Sequence, residues 1–260
     1  MELTFYKYQG AGNDFVICDN RTNIIQLTAK QINHLCDRKF GIGADGFMLL
    51  QNADGYDFEM KYYNADGNEG SMCGNGGRCL VKFAYDCGIQ LSTYHFLAID
   101  GIHKAEMIEQ KNWVNLKMKN VHEVTQVNDN FILDTGSPHF VYPCSNVMAF
   151  DVVEEGKKIR YSKHFKENGI NVNFVEQKKE DTIIVRTYER GVEDETLSCG
   201  TGVTASALVF AHNQNGFNHI DVITKGGNLA VEFNKLNDQT FENIWLSGPA
   251  EFVFKGEIKL

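Results

Sequence analysis

The chain has 260 residues, of which 43% are apolar, and it carries a formal net charge of −9. It is therefore long enough for one large core or for two cores of about 120 residues each. Because phosphate neutralisation requires grouped Lys and Arg side chains, and the sequence has no basic cluster, we expect no nucleic-acid partner.

The N-terminal segment has no positive region followed by an apolar one, and no apolar run is long enough to cross a bilayer. We therefore expect a cytoplasmic protein with no membrane partner. The seven cysteines include no Cys-x-x-Cys pair, and the eight histidines include no His-x-x-x-His pair. Reduced thiols, no disulfide framework and no metal site are expected.

Short strands dominate the predicted elements, because apolar residues alternate between Gly, Asn and Asp turns. In chain order the predicted strands are 3–8, 15–18, 47–50, 56–63, 95–99, 113–118, 140–142, 171–175, 182–188 and 229–233. A helix is predicted over 28–38, with Thr28 as its N-cap and with Ile32 and Leu35 on one side.

Two further helices are predicted over 78–85 and 203–211. Their residues are apolar or small on most sides, so each helix must be surrounded by other elements. Gly88 and Gly216 follow them and are expected to form left-handed C-caps. The expected fold class is α+β, with two similar domains, each a curved and mostly antiparallel sheet wrapped around a central helix.

The phrase Cys-Gly-x-Gly occurs twice, at 73–76 and 199–202, and its cysteines are 126 residues apart (199 − 73). The same offset relates other identical residues without a gap: Glu69 and Glu195, Tyr62 and Tyr188, Gly43 and Gly169, Gly101 and Gly227, Glu106 and Glu232, Gly10 and Gly136. Agreement on one offset predicts an internal duplication with an approximate two-fold axis. The predicted domains are 1–119 and 120–249.

Each repeated phrase offers a site for an anion beside a reactive thiol. The first N–H groups of a helix have no intrahelical partner, and the peptide dipoles place partial positive charge there. Glycine lets a ligand approach this backbone closely, so each phrase predicts a carboxylate site. A free thiol has a pKa of about 8.5, which falls near a helix N-terminus. Cys73 and Cys199 are therefore candidate thiolates.

Two such thiols on opposite faces of one α-carbon would invert an amino acid without a cofactor. One thiolate would remove the α-proton while the other thiol delivers a proton, and the helix N–H groups would stabilise charge developing on the carboxylate. Free cysteine is more often a small buried apolar residue, and Gly-rich turns also serve packing alone. The matched pair favours the chemical interpretation.

The duplication also pairs polar residues near these phrases. Asn13 corresponds to His139, and Asn64 corresponds to Arg190. His139 either tunes a thiol or is a surface or capping histidine. Arg190 either clamps a second carboxylate or forms a surface ion pair.

Longer motifs resemble the diaminopimelate epimerase family over nearly the whole chain. They cover 10–15, 63–67 leading to 72–79, 188–191 leading to 195–202, 224–227 and 248–256. The resemblance implies a cofactor-independent isomerase that interconverts LL- and meso-diaminopimelate for lysine and peptidoglycan synthesis, commonly as a homodimer. It also implies that a last strand, 250–260, returns to the N-terminal domain.

The resemblance assigns roles residue by residue. Cys73 and Cys199 are the acid/base pair, and His139 and Glu189 modulate the thiols. The residues implied to hold the reacting carboxylate are Gly74, Asn75, Gly200 and Thr201. The residues implied to read the remaining substrate groups are Asn13, Asn64, Asn171, Glu189 and Arg190.

Two positions depart from the family pattern, since Ser137 stands where many members carry asparagine and Gly46 where many carry glutamine.

An alternative within the family is a racemase of another amino acid, such as histidine or hydroxyproline. An alternative from another class is a thiol hydrolase acting through an acyl intermediate, which would leave one cysteine unused. A non-catalytic amino-acid-binding protein is a third alternative.

Overall fold

The computed structural model describes residues 2–70 and 72–260. Within them the backbone forms seventeen β-strands and four α-helices. The helices are α1 (Ala29–Cys36), α2 (Gly74–Asp86), α3 (Val152–Arg160) and α4 (Gly200–Val209). The α+β fold class is confirmed, and each of the ten predicted strands overlaps an observed one. In the described part of the chain, every helix is too short or too polar to span a membrane.

The chain divides into two compact units. Unit 1 comprises Met1–Leu116 and Gly248–Leu260, and unit 2 comprises Lys117–Ser247. The domains expected from the sequence, 1–119 with the strand 250–260 and 120–249, stay a prediction. Residue 1 of the first expected domain lies outside the described residues.

Unit 1 is built on a ladder of consecutive strands. They are β1 (Glu2–Gly10), β2 (Asn13–Asp19), β3 (Gly46–Gln51), β4 (Phe58–Asn64), β5 (Thr93–Ala98), β6 (Gly101–Ile108) and β7 (Trp113–Lys117, whose last residue belongs to unit 2). From β1 to β7 the neighbouring pairs are antiparallel, parallel, antiparallel, parallel, antiparallel and antiparallel.

Unit 2 repeats this order of pairings. Its strands are β8 (Val124–Val127), β9 (Asn130–Asp134), β10 (Pro138–Pro143), β11 (Asn171–Lys179), β12 (Thr182–Glu189), β13 (Asp194–Thr196), β14 (Gly216–Thr224), β15 (Gly227–Lys235) and β16 (Phe241–Pro249, whose last two residues belong to unit 1). Along β9, β10, β11, β12, β14, β15 and β16 the pairs are again antiparallel, parallel, antiparallel, parallel, antiparallel and antiparallel. The two units therefore share one topology.

Three strands lie outside the repeated order. In unit 1, β17 (Glu251–Lys259) pairs antiparallel with β1. In unit 2, β8 pairs with β9, and the short β13 pairs with the end of β12.

The helices follow from the parallel pairs, because two parallel neighbours need a crossover connection between them. In unit 1, α1 joins β2 to β3 and α2 joins β4 to β5; in unit 2, α3 joins β10 to β11 and α4 lies between β12 and β14. The sheet of unit 1 packs around α2, which contacts β1 to β4, β6 and β17. The sheet of unit 2 packs around α4, which contacts β9 to β12, β14 and β15. A central helix within each sheet is thus confirmed, while the two-fold axis stays a prediction.

Two predicted helix ends are confirmed and one is wrong. The hydroxyl of Thr28 accepts a hydrogen bond from the third residue of α1, and Gly88, at φ +95°, follows the C-cap of α2. Gly216 does not cap α4, which ends seven residues earlier and leaves Gly216 to begin β14. Between them lies a polar turn in which Asn213 donates its N–H to Oδ1 of the buried Asn218.

Candidate active site

Each unit places one cysteine at the N-cap of its central helix. Cys73 precedes α2 with φ −94° and ψ 131°, and Cys199 precedes α4 with φ −116° and ψ 110°. Neither thiol caps its own helix by a hydrogen bond. Cys73 is half-buried, and Cys199 is 8% exposed. Both sulfur atoms are therefore at positively polarised helix ends.

The glycines of the two phrases do not all serve a ligand. Gly74 and Gly200 are the first residues of their helices and are buried. A Cβ at Gly202 would lie 2.2 Å from Asn173 Oδ1 and 3.3 Å from His139 Cε1. At this position the missing side chain makes room for neighbouring side chains of unit 2 rather than for substrate.

In unit 1, Asn13 connects the thiol to a charged network. Its Nδ2 donates to Asp45 Oδ2 at 2.6 Å, which turns its Oδ1 away from the carboxylate. That Oδ1 lies 3.6 Å from Cys73 Sγ and 3.5 Å from Asn75 Nδ2. An amide oxygen only accepts hydrogen bonds, so Asn13 can accept from both groups. The structure thus groups three predicted site residues and adds Asp45, which the sequence interpretation missed.

The charged network behind Asn13 consists of two cations and two carboxylates. Arg38 donates to Asp14 and to Asp45, and Lys7 Nζ lies 2.7 Å from Asp14 Oδ2. Burial raises the pKa of Asp14, but the hydrogen bonds from Arg38 and Lys7 outweigh it and hold that pKa at about 2. The network fixes the loop that carries Asp45 and, through it, the orientation of Asn13.

Asn64 ends β4 and is exposed. Its backbone carbonyl accepts from the N–H of Gly67, and its N–H donates to the carbonyl of Asn68, which closes a tight turn.

Arg78, the fifth residue of α2, is fully buried and donates to Asn75 Oδ1 at 2.7 Å.

In unit 2, a hydrogen bond from a residue outside α4 fixes the first turn of that helix. Cys199 Sγ lies 3.5 Å from the hydroxyl of Thr201. The carbonyl of Thr201 accepts a 2.8 Å hydrogen bond from the hydroxyl of the buried Thr135. The hydroxyl of Thr201 is therefore positioned to donate to a thiolate at Cys199.

His139 is buried within unit 2, so its interpretation as a surface histidine is wrong. Burial lowers the pKa of its imidazole to about 3, which keeps the ring neutral near pH 7. Asn173 Nδ2 donates to His139 Nδ1 at 3.0 Å, and Asn173 Oδ1 is held by the hydroxyl of Thr187. The ring proton then resides on Nε2. Among the described residues, this buried Nε2 has no hydrogen-bond partner.

The second polar group of unit 2 centres on Asn171, which is 4% exposed. Its Nδ2 donates to Ser137 Oγ at 2.8 Å and to the Pro138 carbonyl at 3.1 Å. Its Oδ1 accepts from the backbone N–H of Arg190 at 2.9 Å. The departure at Ser137 therefore has a structural role, because the serine hydroxyl helps to fix the amide of Asn171.

Arg190 follows the end of β12 and is exposed, and its Nη1 donates to the carbonyl of Asn168 at 2.9 Å. Glu189, the last residue of β12, is half-buried. The departure at Gly46 has a steric cause. A Cβ at this position would lie 2.6 Å from the ring of Tyr62 and 2.9 Å from the carbonyl of Tyr63, so glutamine does not fit.

Asn173 is the principal functional candidate that the sequence interpretation missed. Asparagine recurs at 171 and 173, on one face of a predicted strand, and a polar residue on the buried face of a strand must find partners. This signal was available from the sequence alone. As for metals, the part of the chain that the structure describes holds no group of three or more His, Cys, Asp or Glu side chains arranged to bind one.

The family model for diaminopimelate epimerase matches residues 5–124 and 131–253. A diaminopimelate epimerase from Flavobacterium psychrophilum is 52% identical over 260 residues, covering 98% of this chain and 100% of the relative. One from Chlorobaculum tepidum is 42% identical, covering 96% of this chain and 99% of the relative.

Two solved structures share the fold at low sequence identity. A PhzF-family phenazine biosynthesis protein from Bacillus anthracis has a TM-score of 0.75 at 14% identity, with 100% of both chains covered. A hydroxyproline epimerase from Agrobacterium vitis has a TM-score of 0.71 at 13% identity, covering 99% of this chain and 91% of the other. The family match and the high identity to full-length relatives together place this chain in the diaminopimelate epimerase family.

Proposed function

We propose that the chain interconverts LL- and meso-diaminopimelate and that Cys73 and Cys199 are its two bases. The activity follows from membership of the family. One observation carries the choice of bases: two units of the same topology each hold a thiol at the N-cap of a buried central helix. A thiol at this place has its ionised form favoured, as a base requires.

The reaction needs no cofactor. One thiolate takes the α-proton from one face of the substrate, and the C–H electron pair stays on carbon as a carbanion stabilised by the carboxylate. The opposite thiol then gives its proton to the other face, which forms the new C–H bond and leaves a thiolate. The pair holds one proton before and after, and the two cysteines exchange roles.

The reacting carboxylate is bound by the residues at the two helix starts, Gly74, Asn75, Gly200 and Thr201. Their backbone N–H groups are fixed before the reaction and gain strength as charge moves onto the carboxylate.

His139 and Glu189 modulate the thiols. The imidazole acts as a neutral N–H donor, since burial keeps its pKa at about 3. The residues that bind the remaining amino and carboxylate groups are Asn13, Asn64, Asn171, Glu189 and Arg190. The proposed role of Asn171 is supported by its hydrogen bond with the backbone N–H of Arg190, which fixes the main chain at that residue.

We further propose, from family membership, that the protein acts in the cytoplasm as a homodimer in lysine and peptidoglycan precursor synthesis. Sedimentation of the purified chain measures the assembly directly. A species with the mass of one 29.4 kDa chain at micromolar concentration would contradict the dimer.

The test of the mechanism is isotope incorporation. Incubation with LL-diaminopimelate in D2O is expected to give meso product that carries deuterium at the inverted carbon. Cys73→Ala and Cys199→Ala each remove one proton carrier and are expected to abolish epimerisation. Cys144→Ala is the matched control, because this half-buried thiol follows β10 and is not the N-cap of a helix, so the variant should stay active.

Unlabelled product, or full activity in either Cys73→Ala or Cys199→Ala, would refute the two-base mechanism. A panel of other amino acids in the same assay, including histidine and hydroxyproline, tests the substrate. Faster exchange with one of these than with diaminopimelate would contradict the proposed substrate while leaving the thiol chemistry intact.

A further inference from the structure

The two helix starts differ in fixed charge. Arg78 lies five residues after Cys73, and the residue five places after Cys199 is Thr204. Arg78 Nη1 lies 3.3 Å from the carbonyl of Gly74, and the hydroxyl of Thr204 donates to the equivalent carbonyl of Gly200 at 3.0 Å. The carbonyl of the first helical residue is therefore contacted by a cation in α2 and by a neutral hydroxyl in α4.

Arg78 is completely buried. Its Nη2 donates to Asn75 Oδ1 at 2.7 Å, and in the described part of the chain its buried Nε has no hydrogen-bond partner. Among residues 2–70 and 72–260, no carboxylate lies within ion-pair distance of the Arg78 guanidinium. A buried charge without a partner is costly, so a buried guanidinium calls for a nearby anion.

The acidic groups packed around α2 do not supply that anion. Asp14 is already held by the two cations of the network behind Asn13. Glu251 is exposed and accepts from Gln9. Burial raises the pKa of Cys79 far above neutrality, so this thiol stays uncharged. The position left for negative charge is the start of α2, at Cys73 and the backbone N–H groups beside it.

We propose that Arg78 is a positioning residue that makes the start of α2 the stronger anion site of the two. Its guanidinium lies under the first turn, where it attracts the substrate carboxylate and stabilises charge that moves onto it during proton removal. It also fixes the amide of Asn75, since Oδ1 is held by Arg78 and Nδ2 is left to face Asn13. The start of α4, where Thr204 takes the place of Arg78, carries no such fixed positive charge. This inference rests on the proposed function for the part played by Cys73.

The test compares an anionic and a neutral alkylating reagent at the same thiol. Iodoacetate and iodoacetamide are close in size, and the same thiolate attacks the CH2 carbon of either one and displaces iodide. The ratio of their rates therefore cancels accessibility and thiol ionisation and reports the local charge. The protein is treated with each reagent at pH 7, and each modified cysteine is located by peptide mass spectrometry. We expect the iodoacetate-to-iodoacetamide ratio to be about ten-fold higher at Cys73 than at Cys199, as one nearby buried positive charge provides.

Substitutions at Arg78 distinguish the effect of its charge from the effect of its packing. In Arg78→Met the ratio at Cys73 should fall by about ten-fold, towards that of Cys199, whereas Arg78→Lys keeps the charge and should retain most of the ratio. Thr204→Val is the matched control in unit 2, because it removes a hydroxyl but no charge and should leave the ratio at Cys199 unchanged. Arg78→Met should also lower kcat by a larger factor than it raises KM, because the charge acts most on the transition state.

Equal ratios at the two cysteines of the unmodified protein would overturn the proposal, and so would a folded Arg78→Met variant with an unchanged ratio. If Arg78→Met does not fold, the comparison of Cys73 with Cys199 in the unmodified protein still decides. Alkylation requires no turnover, so these outcomes are distinct from failure of the deuterium experiment. A high ratio at Cys73 in a protein that does not epimerise would leave the anion site standing and refute only the catalytic function.

Discussion

His139 makes the stability of the protein depend on pH in a predictable way. A histidine has a pKa near 6.5 in the unfolded chain, and burial lowers that of His139 to about 3 in the folded protein. As the pH falls below 6.5, the unfolded chain binds a proton that the folded protein does not, so unfolding is favoured. The contribution of a neutral His139 is thus fully present above pH 6.5 and is lost progressively below it.

The size of the effect follows from the proton linkage. Each pH unit in this window costs about 1.4 kcal/mol, so lowering the pH from 6.5 to 5.0 should remove about 2 kcal/mol of the free energy of unfolding. His139→Gln keeps a side-chain N–H but cannot be protonated, so its loss over the same interval should be smaller by that amount. Urea denaturation followed by circular dichroism at several pH values between 5.0 and 7.5 measures both proteins. A constant difference between them across this range would refute the assignment of a buried neutral imidazole.

Two substitutions test other features of unit 2. Gly156→Ala should lower the free energy of unfolding by about 1–3 kcal/mol in urea denaturation, because the new Cβ would lie 2.4 Å from Tyr188 Cβ. Glu155→Ala on the same helix is the control and should change stability little. Equal stability of the two variants would contradict the packing described. Ser137→Ala removes the hydroxyl that accepts from Asn171, and the loss of one such hydrogen bond should raise KM by about five-fold with a smaller effect on kcat. An unchanged KM would show that the serine does not support substrate recognition.

Ten of the seventeen described strands, and the repeated cysteine phrase, were predictable because both arise from local sequence. Alternation of apolar residues predicts strands directly, and the glycine-rich phrases predict helix starts. Helix α3 was not predicted, because Gly156 and several charged residues interrupt its pattern. The reason for that glycine lies in a distant strand, where the ring of Tyr188 occupies the space that a side chain would need. No local pattern carries this information.

The candidate site divides in the same way. The cysteines were singled out by their own motif, whereas Asp45 and Asn173 act through partners that only the folded chain brings close. Asp45 orients Asn13 from 32 residues away, and Asn173 reaches a histidine 34 residues earlier in the chain. Such contacts depend on the register of neighbouring strands. A sequence motif can therefore suggest candidates for the reacting groups but not the residues that orient them.

The pairing of β1 with β17 has a consequence for biosynthesis. Unit 2 is one uninterrupted segment, 117–247, while unit 1 also needs 248–260, whose strand contributes eight aligned residue pairs with β1. On the ribosome, where segments fold in the order in which they emerge, unit 2 can finish first although it is made second. During that interval the edge of β1 stays open to wrong partners. We expect a released chain truncated after 247 to contain a protease-resistant second half and a labile first half.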